Sequence, residues 1–359
     1  MNIALVHDYL VQDGGAERVL LALHEMFPEA PIYTLFYDPK FVEKRFKNAT
    51  IIPSFLQKFP KITRIYQWLL PIMPLATESY HFKENTNLII SSTSAFAKGI
   101  IPPTNCTHIS YIHTPTRFLW TDSGRYVQEL KVPKFIKFFL PPILHRLRAW
   151  DTIASTRPDI LIGNSQTVVN RIKTFYKKEA QCIYPPVETS KALPPQAGEY
   201  FITGGRLVYY KHVDLAIECC NRLHLPLVVY GDGPEMERLK KMAGETITFV
   251  GKISDEEKWK LLSKAKAFIN PQNEDFGITA VESMAAGKPV IALRQGGATE
   301  TVQENVTGVF FDNQTWEALC HILGAWEKYT WNSDRIIEHA KKFDTLNFKK
   351  AIRTLVESI

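Results

Sequence analysis

Short apolar runs alternate with amphipathic segments along the second half of the chain. The segments between the runs have the spacing of helices, and SDEE at 254–257 is typical of a capped helix start. This strand–helix order predicts a parallel, doubly wound sheet whose ligands bind at the carboxyl ends of the strands. The apolar runs predicted as strands are 200–203, 225–231, 247–251, 267–270 and 288–293.

The first half shows the same alternation with longer insertions. A helix is predicted after a glycine turn at 13–15, and a proline-rich stretch at 184–199 is predicted to link two domains. The predicted fold class is therefore α/β, with two doubly wound Rossmann-like domains that face a central cleft. The first-half strands are predicted at 2–8, 31–36, 87–93, 108–113 and 159–165.

Composition is that of a globular protein with a full core. The chain has 359 residues, of which 45% are hydrophobic and 22% are charged, enough for two domains. No run of 18 apolar residues occurs, so no membrane span is predicted, and the N-terminus resembles a first strand more than a signal peptide. The five cysteines form no C-x-x-C pair, which favours a reducing cytoplasm.

The formal net charge of +6 is concentrated in residues 1–190. Two segments there, 55–73 and 125–150, interleave cations with aromatic and aliphatic residues. Such segments either contact an anionic membrane surface weakly or are helices with apolar core faces and solvated basic faces, and the sequence leaves both open. No nucleic-acid recognition motif is present, so nucleic acid is not an expected partner.

Two glutamates, Glu274 and Glu282, lie eight residues apart across Phe276 and Gly277. Glu274 is predicted on the loop that leaves a strand, and Glu282 on the helix that follows. Gly277 allows the backbone to approach a ligand, and the helix start offers amides to an anion. A carboxylate on each side of this turn suits a ligand with hydroxyls and phosphates, such as a sugar nucleotide. The alternative is a plain strand–loop–helix with two solvated glutamates.

Arg206 and Lys211 follow the first strand of the second half. Two cations at a strand's carboxyl end can bracket a diphosphate and stabilise the charge that develops on a leaving nucleotide, although two surface cations are the simpler alternative. DGGAER at 13–18 departs from the dinucleotide fingerprint, which disfavours a nicotinamide-dependent oxidoreductase. No D-x-D occurs, so no metal ion or other cofactor is predicted.

Several short motifs occur in a fixed order, and together they resemble the retaining family-four glycosyltransferases of the GT-B architecture. The resemblance covers nearly the whole chain, and HTPTRFLW is similar to the mannosyl- and glucosyltransferases of surface-polysaccharide synthesis. The motifs are GGAER at 14–18, HTPTRFLW at 113–120, NSQTV at 164–168, YPPV at 184–187, GGRL at 204–207 with Lys211, YGDGP at 230–234, and the two glutamates at 274 and 282.

The resemblance implies a role for each matching residue of the second domain. Arg206 and Lys211 would bind the donor diphosphate, and Glu274 would contact the donor sugar near its C3 hydroxyl. Glu282 would hold the ribose hydroxyls. The remaining donor contacts would come largely from the backbone of Phe276, Gly277 and Ile278 and, around the base, of Lys252 and Ile253.

In the first domain the resemblance implies two contacts. Gly15 would approach the phosphate, and His113 would lie near the transferred sugar, unless it is simply a core histidine at a strand end. The implied domains are an acceptor domain at 1–186, a nucleotide-sugar domain at 187–345, and a final helix at 346–359 that crosses back to the first domain.

The implied activity is transfer of a hexosyl group, mannose or glucose, from a UDP- or GDP-sugar with retention at the anomeric carbon. The catalytic residues would be His113, Glu274, Arg206 and Lys211, and the departing phosphate would help deprotonate the acceptor. The acceptor would be a saccharide or a lipid-linked saccharide, handled in the cytoplasm, peripherally at the inner face of the membrane. The alternatives are a GT-B nucleotide-sugar epimerase or hydrolase, and a non-catalytic nucleotide-sugar-binding relative.

Overall fold

The computed structural model describes residues 1–121, 123–124 and 134–359. The chain divides into two compact units. The first contains residues 1–184 together with 349–359, and the second contains residues 185–348.

A parallel sheet forms the centre of the first unit. Its strand order in the described residues is β3-β2-β1-β4-β5-β6-β7, so the chain reverses its direction of winding between β1 and β4. The strands are β1 (Ile3–His7), β2 (Ile32–Thr34), β3 (Ile51–Pro53), β4 (Leu88–Thr93), β5 (Thr107–Ile112), β6 (Ile160–Gly163) and β7 (Gln181–Cys182). Strand β4 is buried along its whole length, as expected for a central strand covered on both faces.

Helices cover the first sheet. The loop that leads into α1 leaves the carboxyl end of β1. The helices are α1 (Gly15–Met26), α2 (Pro39–Arg45), α3 (Ile62–Ile65), α4 (Met73–Glu78), α5 (Arg117–Trp120), α6 (Lys134–Ala154) and α7 (Gln166–Tyr176). Helix α7 is amphipathic, and its buried residues include Val168 and Ile172, one turn apart. Ser165 caps it by accepting a hydrogen bond from the Val168 amide.

The second unit has its own parallel sheet, with strand order β10-β9-β8-β11-β12-β13. The strands are β8 (Tyr200–Arg206), β9 (Leu227–Asp232), β10 (Ile247–Gly251), β11 (Ala265–Asn270), β12 (Val290–Leu293) and β13 (Gly308–Phe311). The winding direction reverses between β8 and β11. In open parallel sheets the crevice at such a reversal is where ligands bind.

The helices of this unit follow the strands in alternation. They are α8 (Val213–Arg222), α9 (Met236–Met242), α10 (Asp255–Ser263), α11 (Ile278–Ala285), α12 (Ala298–Thr301), α13 (Trp316–Gly324) and α14 (Ser333–Ala340). The last helix, α15 (Thr345–Glu357), begins in this unit and belongs to the first unit from residue 349 onward. The expected capping box at the start of α10 is confirmed, because the Ser254 hydroxyl accepts from the Glu257 amide and the Glu257 carboxylate accepts from the Ser254 amide.

The α/β class and the two parallel-sheet Rossmann-like domains are confirmed, and ten predicted strands occur where their apolar runs lie. Strands β3, β7 and β13, of three, two and four residues, were not predicted. The proline-rich stretch predicted as a linker begins at the boundary between the two units, and from Pro185 it belongs to the second. There the amides of Gln196 and Glu199 donate to the Ser263 and Lys264 carbonyls.

Candidate active site

The carboxyl end of β8 carries the two predicted cations. Arg206 is the last residue of the strand and is exposed, and Lys211 ends the short 3₁₀ turn Tyr209–Lys211 that follows. Gly205 has a φ of 115°, a left-handed conformation that favours glycine. A Cβ on Gly205 would lie 3.4 Å from Lys211 Nζ, so the lysine packs close to this turn.

Lys211 and Glu274 form an ion pair. Lys211 Nζ donates to Glu274 Oε1 at 2.9 Å, and the two side chains are 15% and 19% exposed. The sequence assigned Lys211 to a diphosphate and Glu274 to a sugar, and the structure brings the two groups into direct contact. Each charge therefore stabilises the other, and a ligand of either sign would compete for one member of the pair.

The turn from Glu274 into α11 is built around Gly277. Its φ of 91° is left-handed, and a Cβ there would lie 3.5 Å from Glu274 Oε2. The loop is anchored from the other side, because the Gly297 amide donates to the Glu274 carbonyl at 2.8 Å. Phe276 is buried and Ile278 begins the helix. The first amides of α11 are thus held next to a carboxylate at a position suited to an anion.

Asn270, which ends β11, was missed by the sequence reasoning. Its side chain is 1% exposed, and its Oδ1 accepts from Gln272 Nε2 at 2.7 Å. Within the described residues its Nδ2 has no hydrogen-bond partner, although a buried amide donor ordinarily has one. A Cβ on Gly277 would lie 3.9 Å from this nitrogen. The amide is therefore a candidate donor to a ligand at the Gly277 turn.

Glu282 is buried and paired with a lysine that the sequence did not single out. Lys258 Nζ lies 2.6 Å from Glu282 Oε1, with side chains 9% and 3% exposed, and 3.3 Å from Asp255 Oδ1. Lys258 is on α10, directly after the loop that carries the exposed Lys252 and the half-buried Ile253. The alternative of two solvated glutamates is therefore wrong for Glu282. The pair joins α10 to α11 and fixes the carboxylate.

In the first unit His113 follows β5 and is 8% exposed. Its Nε2 lies 2.8 Å from Ser92 Oγ, and burial, followed by the charge of His7, lowers the pKa of His113 to about 3. The imidazole is therefore neutral at physiological pH. Gly15 is the first residue of α1, after an extended Gly14 at its N-cap. The glycine turn and His113 both lie at the carboxyl edge of the first sheet.

The loop that follows His113 is held by a buried carboxylate. Asp151 accepts hydrogen bonds from Lys98 Nζ at 2.6 Å, Thr116 Oγ1 at 2.9 Å and Trp120 Nε1 at 2.7 Å. The Tyr176 hydroxyl donates to the same carboxylate at 2.8 Å. Burial raises the pKa of Tyr176 well above its usual value, and the neighbouring charge of Asp151 raises it further. This network ties the HTPTRFLW segment to α6 through Asp151, to α7 through Tyr176 and to the 3₁₀ turn Ala97–Gly99 through Lys98. No local pattern predicts this network, because its members are far apart along the chain.

Residues 188–343 match the sequence model of the family described as glycosyl transferases group 1. The match lies within the second unit and covers less than half of the chain. The matched range includes Arg206, Lys211, Glu274 and Glu282, together with the Lys258 partner of the last.

Curated relatives are glycosyltransferases as well. An uncharacterized glycosyltransferase of Methanocaldococcus jannaschii is 26% identical over 381 residues, covering 100% of this chain and 99% of the relative. O-antigen chain mannosyltransferase C of Escherichia coli is 27% identical over 143 residues, 38% of each chain. A GDP-mannose-dependent phosphatidylinositol monomannoside mannosyltransferase of Mycobacterium tuberculosis is 37% identical over 102 residues, covering 25% of this chain and 26% of that enzyme.

Solved structures with the same fold cover the whole chain. Anabaena HepE in complex with UDP and glucose has a TM-score of 0.73 at 17% identity, with full coverage of both chains. Sucrose-phosphate synthase from Thermosynechococcus elongatus has a TM-score of 0.72 at 18% identity and is covered to 99%. At these identities the likeness establishes the fold, two Rossmann-like domains as in GT-B glycosyltransferases.

Proposed function

We propose that this protein is a retaining glycosyltransferase that moves mannose or glucose from a UDP- or GDP-sugar to a saccharide or lipid-linked saccharide acceptor. The observation that carries the proposal is the Lys211–Glu274 pair beside the Gly277 turn, within the range that matches the group 1 glycosyltransferase model. One cation, one carboxylate and a set of helix amides meet there at the carboxyl end of the sheet. This combination suits a ligand that carries both phosphate and hydroxyl groups.

Each proposed role follows from charge and position. Arg206 and Lys211 bind the diphosphate and stabilise the negative charge that grows on it as the sugar departs. Glu274, released from Lys211, accepts a hydrogen bond from a sugar hydroxyl and stabilises the positive character of the reacting sugar. The departing phosphate oxygen takes the acceptor's proton on the same face, which retains the anomeric configuration. Glu282 holds the ribose, and Lys252 and Ile253 line the base.

GDP-mannose is the first donor to test. The relatives of 27% and 37% identity are mannosyltransferases, and one is described as GDP-mannose-dependent. The structures with UDP or UDP-glucose are at most 17% identical and support the fold more than the base. Surface-polysaccharide or glycolipid synthesis in the cytoplasm is the setting that the mannosyltransferase relatives favour.

Metal-independent transfer is part of the proposal. The described residues hold no group of three or more His, Cys, Asp or Glu side chains able to bind a metal ion. Arg206 and Lys211 are cations that can take the role a divalent ion plays at a diphosphate. Turnover is therefore expected to persist in excess EDTA, and loss with chelator followed by recovery with manganese would contradict this part.

The test is incubation with a panel of UDP- and GDP-sugars, with and without lipid-linked saccharide acceptors. Nucleoside diphosphate release that depends on acceptor is expected, and NMR of the product should show the donor's anomeric configuration. Release that is equally fast without acceptor would indicate a hydrolase. Interconversion of the free nucleotide sugar would indicate an epimerase, and nucleotide-sugar binding without either reaction would indicate a non-catalytic relative.

A weak contact with anionic membrane is proposed for the first domain. In segment 55–73 the exposed cations Lys58, Lys61 and Arg64 alternate with exposed Phe59 and Trp68, the latter 53% exposed. Such an arrangement suits the interface of an anionic bilayer. None of the helices in the described residues has the length and apolarity needed to cross a membrane. Residues 125–133 of the second predicted segment, including Lys131, lie outside the described residues.

Vesicle sedimentation tests this contact. Replacing Lys58, Lys61 and Arg64 by Glu should weaken binding to anionic vesicles by roughly a hundredfold or more, at about 1 kcal/mol for each basic residue. The control variant carries the same total change in charge at exposed positions that are scattered over the first domain. It should bind anionic vesicles better than the segment variant does. The residues changed to Glu in this control are Lys47, Lys83 and Lys178. A further variant, in which Lys131, Lys134 and Lys137 are changed to Glu, tests the second segment. Equal binding to neutral and anionic vesicles would contradict the proposal.

A further inference from the structure

We propose that Asn270 is a specificity-determining residue that hydrogen-bonds a hydroxyl group of the donor sugar beside the Gly277 turn. This assignment deepens the proposed function and rests on it. Asn270 is the last residue of β11, and the second sheet reverses its winding between β8 and β11. Because ligands of open parallel sheets bind at the carboxyl ends of the strands at such a reversal, Asn270 lies at the edge where a ligand is expected.

The Asn270 side-chain amide is held at one end and unpartnered at the other. The side chain is 1% exposed, and its Oδ1 accepts from Gln272 Nε2 at 2.7 Å. Its Nδ2 has no hydrogen-bond partner in the part of the chain that the structure describes. A buried amide ordinarily has a partner at both ends, because an unpaired one costs free energy on folding. A binding site built to recognise a substrate hydroxyl holds polar groups of this kind, which only the substrate satisfies.

Gly277 determines what can approach this amide. A Cβ at Gly277 would lie 3.5 Å from Glu274 Oε2, 3.8 Å from Ala280 Cβ and 3.9 Å from Asn270 Nδ2. One point beside the turn is therefore within 4 Å of a carboxylate oxygen, a methyl group and an amide nitrogen. The φ of 91° favours glycine at this position, so no side chain of the turn itself lies between the two polar atoms.

The two polar atoms at this point select a hydroxyl group over a phosphate. Glu274 Oε2 belongs to a carboxylate, which only accepts hydrogen bonds and repels the charged oxygens of a phosphate. A hydroxyl can donate to the carboxylate and accept from the amide N–H. The choice does not depend on which end of the Asn270 amide faces the turn, since a hydroxyl can equally donate to Oδ1.

The cation of the site is on the other oxygen of the same carboxylate. Lys211 Nζ donates to Glu274 Oε1 at 2.9 Å, whereas Oε2 is the oxygen nearest to the Gly277 turn. The carboxylate thus separates a cationic side, which suits a phosphate, from a side with a neutral amide, which suits a hydroxyl. Asn270 is accordingly assigned to the sugar and Lys211 to the diphosphate.

Calorimetry with GDP and with GDP-mannose tests this assignment, because the two ligands differ by the sugar. Asn270→Leu keeps the approximate size of the side chain and removes both ends of the amide. We expect it to weaken GDP-mannose binding by about tenfold or more and to leave the affinity for GDP within about twofold. Asn273→Ala is the matched control, since Asn273 is an exposed asparagine of the same loop, and it should leave both affinities within about twofold.

Analogues of GDP-mannose that each lack one sugar hydroxyl identify the contact. For one analogue of the series, wild type and Asn270→Leu should bind with the same affinity, because the contact is already absent. The other analogues should still bind the variant about tenfold more weakly than the wild type. If the protein binds UDP-glucose in place of GDP-mannose, UDP and UDP-glucose are compared in the same way.

Three results would overturn the assignment: equal losses for GDP and GDP-mannose, no loss for either, and a loss that persists with every deoxy analogue. An asparagine with only a packing role would lower Tm and affect GDP and GDP-mannose alike. Should Asn270→Leu not fold, Asn270→Ala takes its place. A wild type that binds no nucleotide sugar would contradict the proposed function and this assignment with it. Nucleotide-sugar binding that is unaffected by the loss of the amide would contradict this assignment alone.

Discussion

Lys258→Met is the change that most directly tests the buried ion pair of the second domain. Methionine keeps the length and apolar stem of lysine but removes the charge that lies 2.6 Å from Glu282 Oε1. The variant therefore removes the cation that is paired with this buried carboxylate, and Asp255, the other neighbour of Lys258, is itself acidic. Breaking a buried pair by removing one partner ordinarily costs about 3–5 kcal/mol.

Protonation limits that cost and makes it depend on pH. Holding a glutamic acid of ordinary pKa protonated at pH 7 costs about 3.7 kcal/mol, and at pH 5 only about 1 kcal/mol. In the variant the buried carboxyl favours its neutral form, so its pKa is raised above that of the unfolded chain. Stability relative to wild type is therefore retained at low pH and lost as pH rises. The free energy of unfolding should fall by about 3–4 kcal/mol at pH 7 and by about 1 kcal/mol at pH 5.

Urea unfolding followed by tryptophan fluorescence measures this difference at the two pH values. Lys260→Met is the control, since Lys260 is on the same helix and forms an exposed pair with Glu256; it should leave stability unchanged. The double variant Lys258→Met with Glu282→Gln should lose less than the sum of the single losses. A loss below about 1 kcal/mol at pH 7, or an equal loss at both pH values, would refute the reasoning that Lys258 holds a charged Glu282.

Three further outcomes are expected. Lys211→Ala and Arg206→Ala should each weaken nucleotide diphosphate binding by about tenfold or more, and unchanged affinity by calorimetry in both would exclude the diphosphate site. Glu274→Gln should lower kcat by about a hundredfold in the transfer assay, and a change confined to KM would contradict its place at the reacting sugar. Burial lowers the pKa of His108 to about 3. In the unfolded chain this histidine is protonated at a higher pH, so the free energy of unfolding decreases as pH falls from 6.5 towards 3. His108→Asn should reduce the acid-side slope of unfolding free energy by about 1.4 kcal/mol per pH unit.

The fold was largely predictable, because burial of a parallel strand requires an apolar run and each such run is visible locally. The strands that were missed are short. Strand β7 has only two residues, both exposed, so it gives no apolar signal, and β13 offers only three apolar residues after a glycine, a run too short to be distinctive. The same local logic found the Gly277 turn and the cations after β8, since strand ends and glycines are marked in the sequence.

The partners of the site residues could not be predicted in the same way. Lys258 follows three acidic residues at a helix start, a context typical of a solvated lysine, and only the packing of α10 against α11 buries it. Ser92 and His7 are 85 positions apart and meet through strand register. A sequence shows which side chains could carry charge or protons, whereas the identity of each partner depends on tertiary packing.

Two lysine–glutamate pairs of the second domain, Lys258–Glu282 and Lys211–Glu274, differ in their exposure. The Lys258–Glu282 pair is almost fully buried, so separating it would leave an uncompensated charge in a low dielectric. The Lys211–Glu274 pair is partly exposed, and such pairs are held by little net free energy because water replaces each partner. A diphosphate that attracts Lys211 can therefore separate the second pair while the first stays intact. Under the proposed function, donor binding then couples two events: Lys211 moves to the phosphate, and Glu274 becomes available to the sugar.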